Sequence, residues 1–416
     1  MSALSEANAE AVRRLCAADP VVVDVGLAID VMPGFTKNLI LTSGAPLPWP
    51  SYVGGQREAI IGGALFEGLA STREEALAAL DSGAIIVAGC HDYGAVGSLA
   101  GIYTASMPVF VVRDAEHGNT AFCNFYEGKD PRRLNYGCYD EGVHERLLHV
   151  NTVYAPVVGE AIRRTGGVAL KPLIARGLRM GDECHSRNAA STLLLCRELF
   201  GAAMDMAAAP GSDRVRETFL HIAENDYFFL RLSMAAAKAT ADSIAGLAGS
   251  SVVSAMGFSC REFAIRVSGL GDEWFRGPTP VTEGRLFPGH HESEITWMGG
   301  ESPITETIGL GGFAQACALS LQEYQGGSPE VMIRRNEEMY QITAGENTVF
   351  KIPLFGFRGT PTGVDIFKVL DTGVLPVMDV GLAGRDGGQI GAGVIRAPRE
   401  CFERAASRWP GGQPSD

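Results

Sequence analysis

Short strand-like segments alternate with helix-like segments through the first 125 residues of the chain. Residues 20–25, 84–88 and 107–112 are rich in β-branched and other apolar side chains, as buried strands are. Residues 5–18 and 58–69 have the pattern of helices. Strands separated by helices usually form a mostly parallel sheet that helices cover on both faces. The alternation therefore predicts an α/β fold.

The composition of the chain changes twice after the first 140 residues. Residues from about 140 to 250 are alanine-rich and mostly helical in pattern, including 143–164 and 189–209. Beyond residue 251 the chain is rich in glycine, with strand-like segments at 263–267, 349–352 and 374–378. We predict three domains: an α/β domain at 1–140, a mainly helical domain at 141–250 and a glycine-rich α/β domain at 251–416. The tail at 410–416 is predicted to be disordered.

Charge and cysteine content narrow the classes of function. The 416 residues carry a formal net charge of −13, which disfavours nucleic acid and anionic membranes as partners. The nine cysteines are scattered without a Cys-x-x-Cys pair, which is typical of reduced cytoplasmic thiols. We find no signal-peptide pattern and no apolar run of the roughly 18–20 residues that a membrane helix needs. A cytoplasmic protein is therefore expected.

The densest chemistry lies in residues 179–188, directly before an apolar helix-like run. Asp182 follows a glycine and is predicted to be the N-cap of that helix. Glu183 and Arg187 are four residues apart and can pair on one helix face. His185 and Asn188 are three apart and can both face one ligand. Because a helix N-terminus attracts anions, the segment predicts an anion site. A cap with a surface salt bridge is the alternative.

Several other segments contain candidate site residues. His91 follows a predicted strand, where open parallel sheets collect ligands, and can polarise a carbonyl or shuttle a proton. Asn124 lies in a turn and can orient an amide, although a turn-forming role explains it as well. Two glycine-rich stretches can form anion-binding nests or simply tight turns. Their candidate residues are Thr305, Glu306, Thr307, Gly311, Gln389 and Arg396.

Motifs for common cofactors are missing from the chain. No Gly-x-Gly-x-x-Gly follows a first strand and no Gly-Lys-Ser/Thr ends a glycine-rich loop, so we predict neither a nicotinamide cofactor nor a P-loop. His290 and His291 are adjacent, a spacing that matches no helical zinc motif, so we predict no metal. Cys184 and His185 point about 100° apart on a helix, which disfavours a nucleophile–base pair.

Stretches along nearly the whole chain together resemble one family, the YlbE-like proteins, whose members include the AllG subunit of oxamate carbamoyltransferase. The matching stretches are residues 63–68, His91 with its neighbours 90–97, residues 104–108, 179–191, 266–271, 304–309, 388–393 and 396–398. This resemblance implies an α/β fold with a Rossmann-like parallel-sheet portion and a helical insertion.

The resemblance also implies a reaction and partners. Members of the family work beside FdrA-like and YlbF-like subunits in allantoin (purine) nitrogen catabolism. The implied reaction moves a carbamoyl group between oxamate or oxalurate and phosphate or carbamoyl phosphate, without a cofactor. The chain lacks the Ser-x-Arg-Thr-Arg and His-Pro-x-Gln motifs of ordinary transcarbamoylases, and Asp92 stands where AllG-type relatives carry a second histidine. The substrate class expected is a small anion, and a homo-oligomer is expected too.

Carbamoyl transfer needs a bound anion, a polarised carbonyl and a mobile proton. We therefore expect Arg179, Arg187 and the helix start at Asp182 to hold the anion. His185 or His91 would polarise the carbonyl or relay the proton. Glu183 would orient the substrate or deprotonate the attacking amine. An amidohydrolase acting on a ureido or cyclic amide, and a non-catalytic scaffold subunit, are the alternatives.

Overall fold

The structure, a computed structural model, describes residues 2–208 and 212–410. Its helices in chain order are α1 (Ala3–Ala17), α2 (Ala28–Val31), α3 (Gly54–Phe66), α4 (Arg73–Asp81), α5 (Glu141–His149), α6 (Ala155–Thr165), α7 (Leu170–Arg179), α8 (Ala189–Ala207), α9 (Asp213–Ala223), α10 (Leu230–Asp242), α11 (Ile304–Thr307), α12 (Gln322–Gln325), α13 (Pro329–Met339), α14 (Ile366–Thr372) and α15 (Arg399–Ser407). The predicted disordered tail falls almost wholly outside the described residues.

The strands in chain order are β1 (Pro20–Leu27), β2 (Leu39–Thr42), β3 (Ile86–Gly89), β4 (Ala95–Val96), β5 (Pro108–Asp114), β6 (Thr120–Asn124), β7 (Val168–Ala169), β8 (Val253–Phe258), β9 (Glu262–Val267), β10 (Phe275–Pro278), β11 (Glu283–Leu286), β12 (Thr343–Ile352), β13 (Arg358–Val364), β14 (Val377–Ala383) and β15 (Gln389–Arg396). A five-stranded sheet has the order β4-β6-β5-β1-β7. The other sheets are β10-β9-β8, β11-β15-β14, β12-β13 and β2-β3.

The predicted α/β class is confirmed, and the N-terminal portion contains parallel strand pairs. These pairs are β2 with β3 and β4 with β6. The remaining pairs of the five-stranded sheet are antiparallel, so the sheet is mixed and not mostly parallel. For the pair β5 and β6 the reason is the length of the connection. β5 and β6 are joined by residues 115–119 alone, a hairpin too short for the crossover that a parallel pair needs.

Individual elements follow the sequence pattern closely. The predicted helices at 5–18, 58–69 and 189–209 correspond to α1, α3 and α8, and the predicted strands at 84–88 and 107–112 to β3 and β5. The predicted helix at 143–164 is divided into α5 and α6 by a π-helical turn at Val150–Tyr154. Pro156 has no N–H group to donate to the preceding turn, which explains the interruption.

One hydrophobic core contains side chains from all three predicted domains, including the fully buried Phe110, Ile174 and Ile304. The three-domain division itself stays a prediction. Helix α10 packs against β5 and β6, and all its residues from Leu230 to Ala241 are buried. This burial places the first turn of α10 inside the molecule, next to the candidate site. No helix among the described residues is long and apolar enough to span a lipid bilayer.

Candidate functional site

The polar segment at 179–188 is a loop between α7 and α8, where a helix start was predicted. Helix α8 begins at Ala189, and Asn188 is its N-cap residue. The Asp182 carboxylate nevertheless accepts hydrogen bonds from the N–H groups of Ala190 (3.2 Å) and Ser191 (2.7 Å). The prediction that Asp182 is the N-cap residue is therefore wrong. Its carboxylate nevertheless accepts free N–H groups of the first turn of α8, as an N-cap side chain would.

Glu183 and Arg187 do not form the predicted ion pair on a helix face. The Glu183 carboxylate accepts the backbone N–H groups of His185 (2.5 Å) and Arg187 (2.6 Å). The Arg187 Nε group donates to the carbonyl oxygen of Gly181 at 2.9 Å. Cys184 has a φ of 64°, so the chain turns sharply here and helical spacing does not apply. Glu183 thus organises the loop that presents His185.

Tertiary structure brings two distant carboxylates to His185. The Nδ1 atom of His185 lies 2.8 Å from Glu306 Oε1. The same oxygen accepts the backbone N–H groups of Gly312 and Asp379, each at 3.1 Å. A carboxylate bound to Nδ1 fixes the orientation of the imidazole ring and leaves Nε2 for other partners.

Asp379 is the second distant carboxylate. Its Oδ1 atom accepts the side-chain amides of Gln315 and Gln325, each at 2.7 Å. Its Oδ2 atom is buried without a hydrogen-bond partner among the described residues. We use the name histidine–carboxylate cluster for the four buried residues His185, Glu183, Glu306 and Asp379.

Burial and mutual charge shift the pKa values in this cluster. Burial by itself lowers the pKa of His185, but the charge and hydrogen bond of Glu306, with the charge of Asp379, raise that pKa above its usual value. Burial raises the pKa of Asp379 to about 6, with the charge of His185 opposing and that of Glu306 adding to the shift. Burial, followed by the charge of Asp379, raises the pKa of Glu183 well above its usual value. The cluster therefore holds groups suited to proton transfer.

His185 borders a narrow cavity. Its volume is about 60 Å³, which is room for a few water molecules. The cavity lies between α10, β14, β15 and the loops before α5 and α11. Its polar lining consists of Ser98, Tyr126, Arg133, Tyr136, His185, Ser186, Tyr227, Arg231, Ser302 and Gln389. A cavity of this size and polarity suits a small anion.

Two cavity arginines and one carboxylate were missed from the sequence. Arg133 and Arg231 line the cavity, whereas neither lies in a motif that the sequence analysis selected. The available signal for Arg231 was a cation near the start of the alanine-rich helix α10, which also contains the buried Lys238. Asp379 lies in an ordinary strand and gave no local signal.

Several predicted ligand-binding residues support the cluster or the cavity. Thr305 Oγ1 donates to Glu306 Oε2 at 2.8 Å, and the N–H group of Gly311 donates to the Glu183 carbonyl oxygen at 2.8 Å. Thr307 Oγ1 donates to a carbonyl of its own helical turn. Gln389 lines the cavity, as expected of a substrate-binding residue. The glycine-rich loop at 309–312 therefore closes around the cluster.

Other predicted residues lie outside the cavity. Arg179 is exposed at the end of α7, and Arg396 pairs with Glu338 at 3.3 Å. Arg187 and Asn188 border a different surface depression, and Asn124 lines another cavity. The arginines predicted to hold the anion therefore do not line the cavity that His185 borders.

His91 belongs to a second buried cluster. It follows β3, as predicted, and its Nε2 atom lies 3.9 Å from Glu301 Oε1. The Glu301 oxygens accept the N–H groups of Gly44 (2.9 Å) and Gly97 (2.7 Å). Burial lowers the pKa of His91 well below its usual value, and burial raises the pKa of Glu301 to about 8. His91 does not line the cavity that contains His185.

A metal would find ligands in the cluster and not at the adjacent histidines. His185, Glu306 and Asp379 each offer a ligand atom, and these atoms lie within 4.8 Å of one another. The Glu306 oxygens, however, already accept three N–H groups and one hydroxyl. His290 pairs with Glu294 at 2.6 Å on the surface. The prediction that the chain binds no metal stays a prediction.

The fold and the site define an α/β protein with a buried histidine–carboxylate cluster beside a small polar cavity. The profile of the family "Oxamate carbamoyltransferase subunit AllG" matches residues 85–302. The chain is 37% identical to the oxamate carbamoyltransferase subunit AllG of Escherichia coli K12, with 97% of each chain covered. The chain belongs to the AllG family, which confirms the resemblance found in the sequence.

The chain is also similar to two further proteins over nearly its whole length. The chain is 38% identical to the uncharacterized protein YahG of Escherichia coli K12, over 98% of this chain and 86% of YahG. It is also similar to a crystal structure of a conserved protein of unknown function from Enterococcus faecalis V583. That similarity has a TM-score of 0.94 at 36% identity and covers 97% of both chains. The fold is therefore shared along almost the entire length.

Proposed function

We propose that this chain is a carbamoyltransferase subunit that moves a carbamoyl group between oxalurate and phosphate, giving carbamoyl phosphate and oxamate. The observation that carries the proposal is His185, which is hydrogen-bonded to Glu306 and borders a cavity that suits a small anion. The 37% identity to an oxamate carbamoyltransferase subunit supports the choice of reaction.

The transfer requires one nucleophilic attack and one proton. In the degradative direction, a phosphate oxygen forms a bond to the ureido carbonyl carbon of oxalurate, and the bond from that carbon to the oxamate nitrogen breaks. The leaving nitrogen takes up a proton, which we assign to His185. Glu306 would stabilise the protonated imidazole, consistent with its raising the pKa of His185 against the effect of burial. In the reverse direction His185 removes the proton from the amide of oxamate.

Glu183 and Asp182 are assigned positioning roles. Glu183 accepts two backbone N–H groups of the loop that carries His185, and Asp182 fixes the same loop to the start of α8. Both therefore act on the substrate through the placement of the imidazole ring. This assignment replaces the direct proton transfer by Glu183 that the sequence suggested.

The enzyme is proposed to be a complex. The name of the E. coli relative describes a subunit, which supports partner chains, and we propose FdrA-like and YlbF-like subunits together with self-association. We also propose that this complex acts in the cytoplasm, in the catabolism of allantoin nitrogen. The nine free cysteines are consistent with a reducing compartment.

The proposal is tested by measuring carbamoyl phosphate formed from oxalurate. The chain is assayed alone and with its partners, each with and without phosphate. We expect phosphate-dependent product, and a loss of about 100-fold or more in kcat for His185→Gln in the assembled enzyme. The exposed Arg179→Ala is the matched control and should keep wild-type turnover.

Two outcomes would contradict the proposal. Release of oxamate from oxalurate at the same rate without phosphate would indicate an amidohydrolase. Full turnover by a folded His185→Gln complex would place the chemistry on a partner and make this chain a scaffold.

A further inference from the structure

Arg231 is a buried cation whose guanidinium lies 5.6 Å from the ring centre of Tyr126 and has no carboxylate partner among the described residues. It is the second residue of α10 and is 5% exposed. Its Nε and Nη1 atoms have no hydrogen-bond partner among the described residues. A guanidinium that has lost water without gaining hydrogen bonds carries a large desolvation cost. Such an arrangement is expected where a ligand completes the hydrogen bonds.

Arg133 faces the same cavity from the loop before α5. Its Nη1 group donates to the carbonyl oxygen of Gly128 at 3.0 Å, and its guanidinium lies 4.1 Å from the ring centre of Tyr136. Its Nε atom has no partner in the described part of the chain. The Arg133 guanidinium is thus held by Gly128 and Tyr136, while its Nε–H group remains free to donate to a ligand.

Neither arginine has a carboxylate within ion-pair distance in the portions of the chain that the structure describes. The charge of Glu127 acts on Arg133, but the Glu127 oxygens accept the N–H groups of Leu134 (2.7 Å) and Asn135 (2.9 Å). In a chain with a net charge of −13, these two arginines bring positive charge to one small cavity, and no carboxylate among the described residues lines it. The local electrostatics there favour an anion.

We infer that Arg133 and Arg231 form the oxyanion subsite of the cavity, which binds a carboxylate or phosphate group of a small substrate. This inference rests on the proposed function, because His185 borders the same cavity. A guanidinium can donate two parallel N–H groups to either oxyanion. The cavity beside these arginines is small and polar, which suits a phosphate or carboxylate group. The arginines predicted from the sequence, Arg179 and Arg187, are not part of this subsite.

The test is anion binding by the purified full chain, measured by calorimetry with inorganic phosphate and, separately, with oxamate. We expect the wild-type chain to bind at least one of them. Arg231→Met and Arg133→Met should each weaken that binding by about tenfold or more, since a charge-assisted hydrogen bond is lost. The control Arg179→Met also removes one positive charge, but from the surface, and should bind as the wild type does.

A stability measurement separates ligand binding from a structural role. Arg231→Met removes an unpaired buried charge, so its thermal midpoint should equal or exceed that of the wild type while anion binding falls. Loss of phosphate binding alone would assign the arginines to the phosphoryl group, and loss of oxamate binding alone to the carboxylate. Absence of wild-type binding, affinity of Arg231→Met equal to that of Arg179→Met, or a lowered midpoint with lost binding would each overturn the subsite.

The outcome is distinguishable from that of the transferase assay. Anion binding that depends on Arg231, in a complex that forms no carbamoyl phosphate, supports the subsite and contradicts the transferase. Wild-type turnover by a folded Arg231→Met complex contradicts the subsite and leaves the transferase supported.

Discussion

Burial is the main cause of the shifted pKa values of individual side chains in this protein. Glu301 is fully buried, and burial raises its pKa to about 8 from an ordinary value of 4.5. Between these two values the folded protein keeps a proton that the unfolded chain has lost. The contribution of Glu301 to the free energy of unfolding therefore falls as the pH rises from about 4.5 to about 8, and Glu301 adds no pH dependence outside that window.

This residue gives a direct prediction for Glu301→Gln. We expect the difference in free energy of unfolding between variant and wild type to move in favour of the variant by about 1 kcal/mol per pH unit across the window. Urea unfolding at about pH 5, about pH 6.5 and about pH 8 measures this difference. The exposed Glu400→Gln is the matched control and should show no such trend. An equal trend in both variants would contradict the buried-acid interpretation.

At the level of elements, the glycine-rich loop before α12 has to pass very close to the histidine–carboxylate cluster. Gly311 has a φ of 57°, and an added Cβ would overlap Glu306 Oε1 and lie 3.0 Å from His185 Cβ. Gly68, after α3, has a similar φ of 71° but no atom within 4 Å of an added Cβ. Substituting either glycine would strain the backbone in the same way. Only at Gly311 would the added Cβ also collide with neighbouring atoms.

We predict that Gly311→Ala lowers turnover of the assembled enzyme at least tenfold, because the added methyl group displaces the Glu306 carboxylate from His185. Gly68→Ala should keep its turnover, while losing about 1–2 kcal/mol of stability from the left-handed backbone. Turnover and urea unfolding of both variants check this. Equal turnover in the two would show that the close approach of Gly311 does not position the cluster.

For the molecule as a whole, the main hydrophobic core includes Phe110, Ile174 and Ile304, one from each predicted domain. Removing any one segment would expose apolar surface of the other two. We therefore expect far-UV circular dichroism and tryptophan fluorescence to report one coincident urea transition. Separate transitions would support three independently folding domains, as the sequence pattern suggested.

Local patterns were sufficient for most elements and for the location of one part of the site. β-Branched runs and helical periodicity identified β1, β3, β5, α1 and α8, because these signals lie within one element. The polar segment at 179–188 identified His185. Whether the strands pair in parallel or antiparallel could not be predicted from local patterns, because it depends on which strands become neighbours in the five-stranded sheet.

The composition of the histidine–carboxylate cluster and of the cavity beside it depends on contacts between distant parts of the chain. Glu306 is 121 residues from His185 along the chain, and Asp379 is farther still. Arg133 and Arg231 come from a loop and a helix that no motif connects. Local spacing fixes which residues share a helix face or a strand edge, but it carries no record of such long-range contacts. Those contacts arise when apolar surfaces from all parts of the chain pack into one core and bring the polar groups at its edges together.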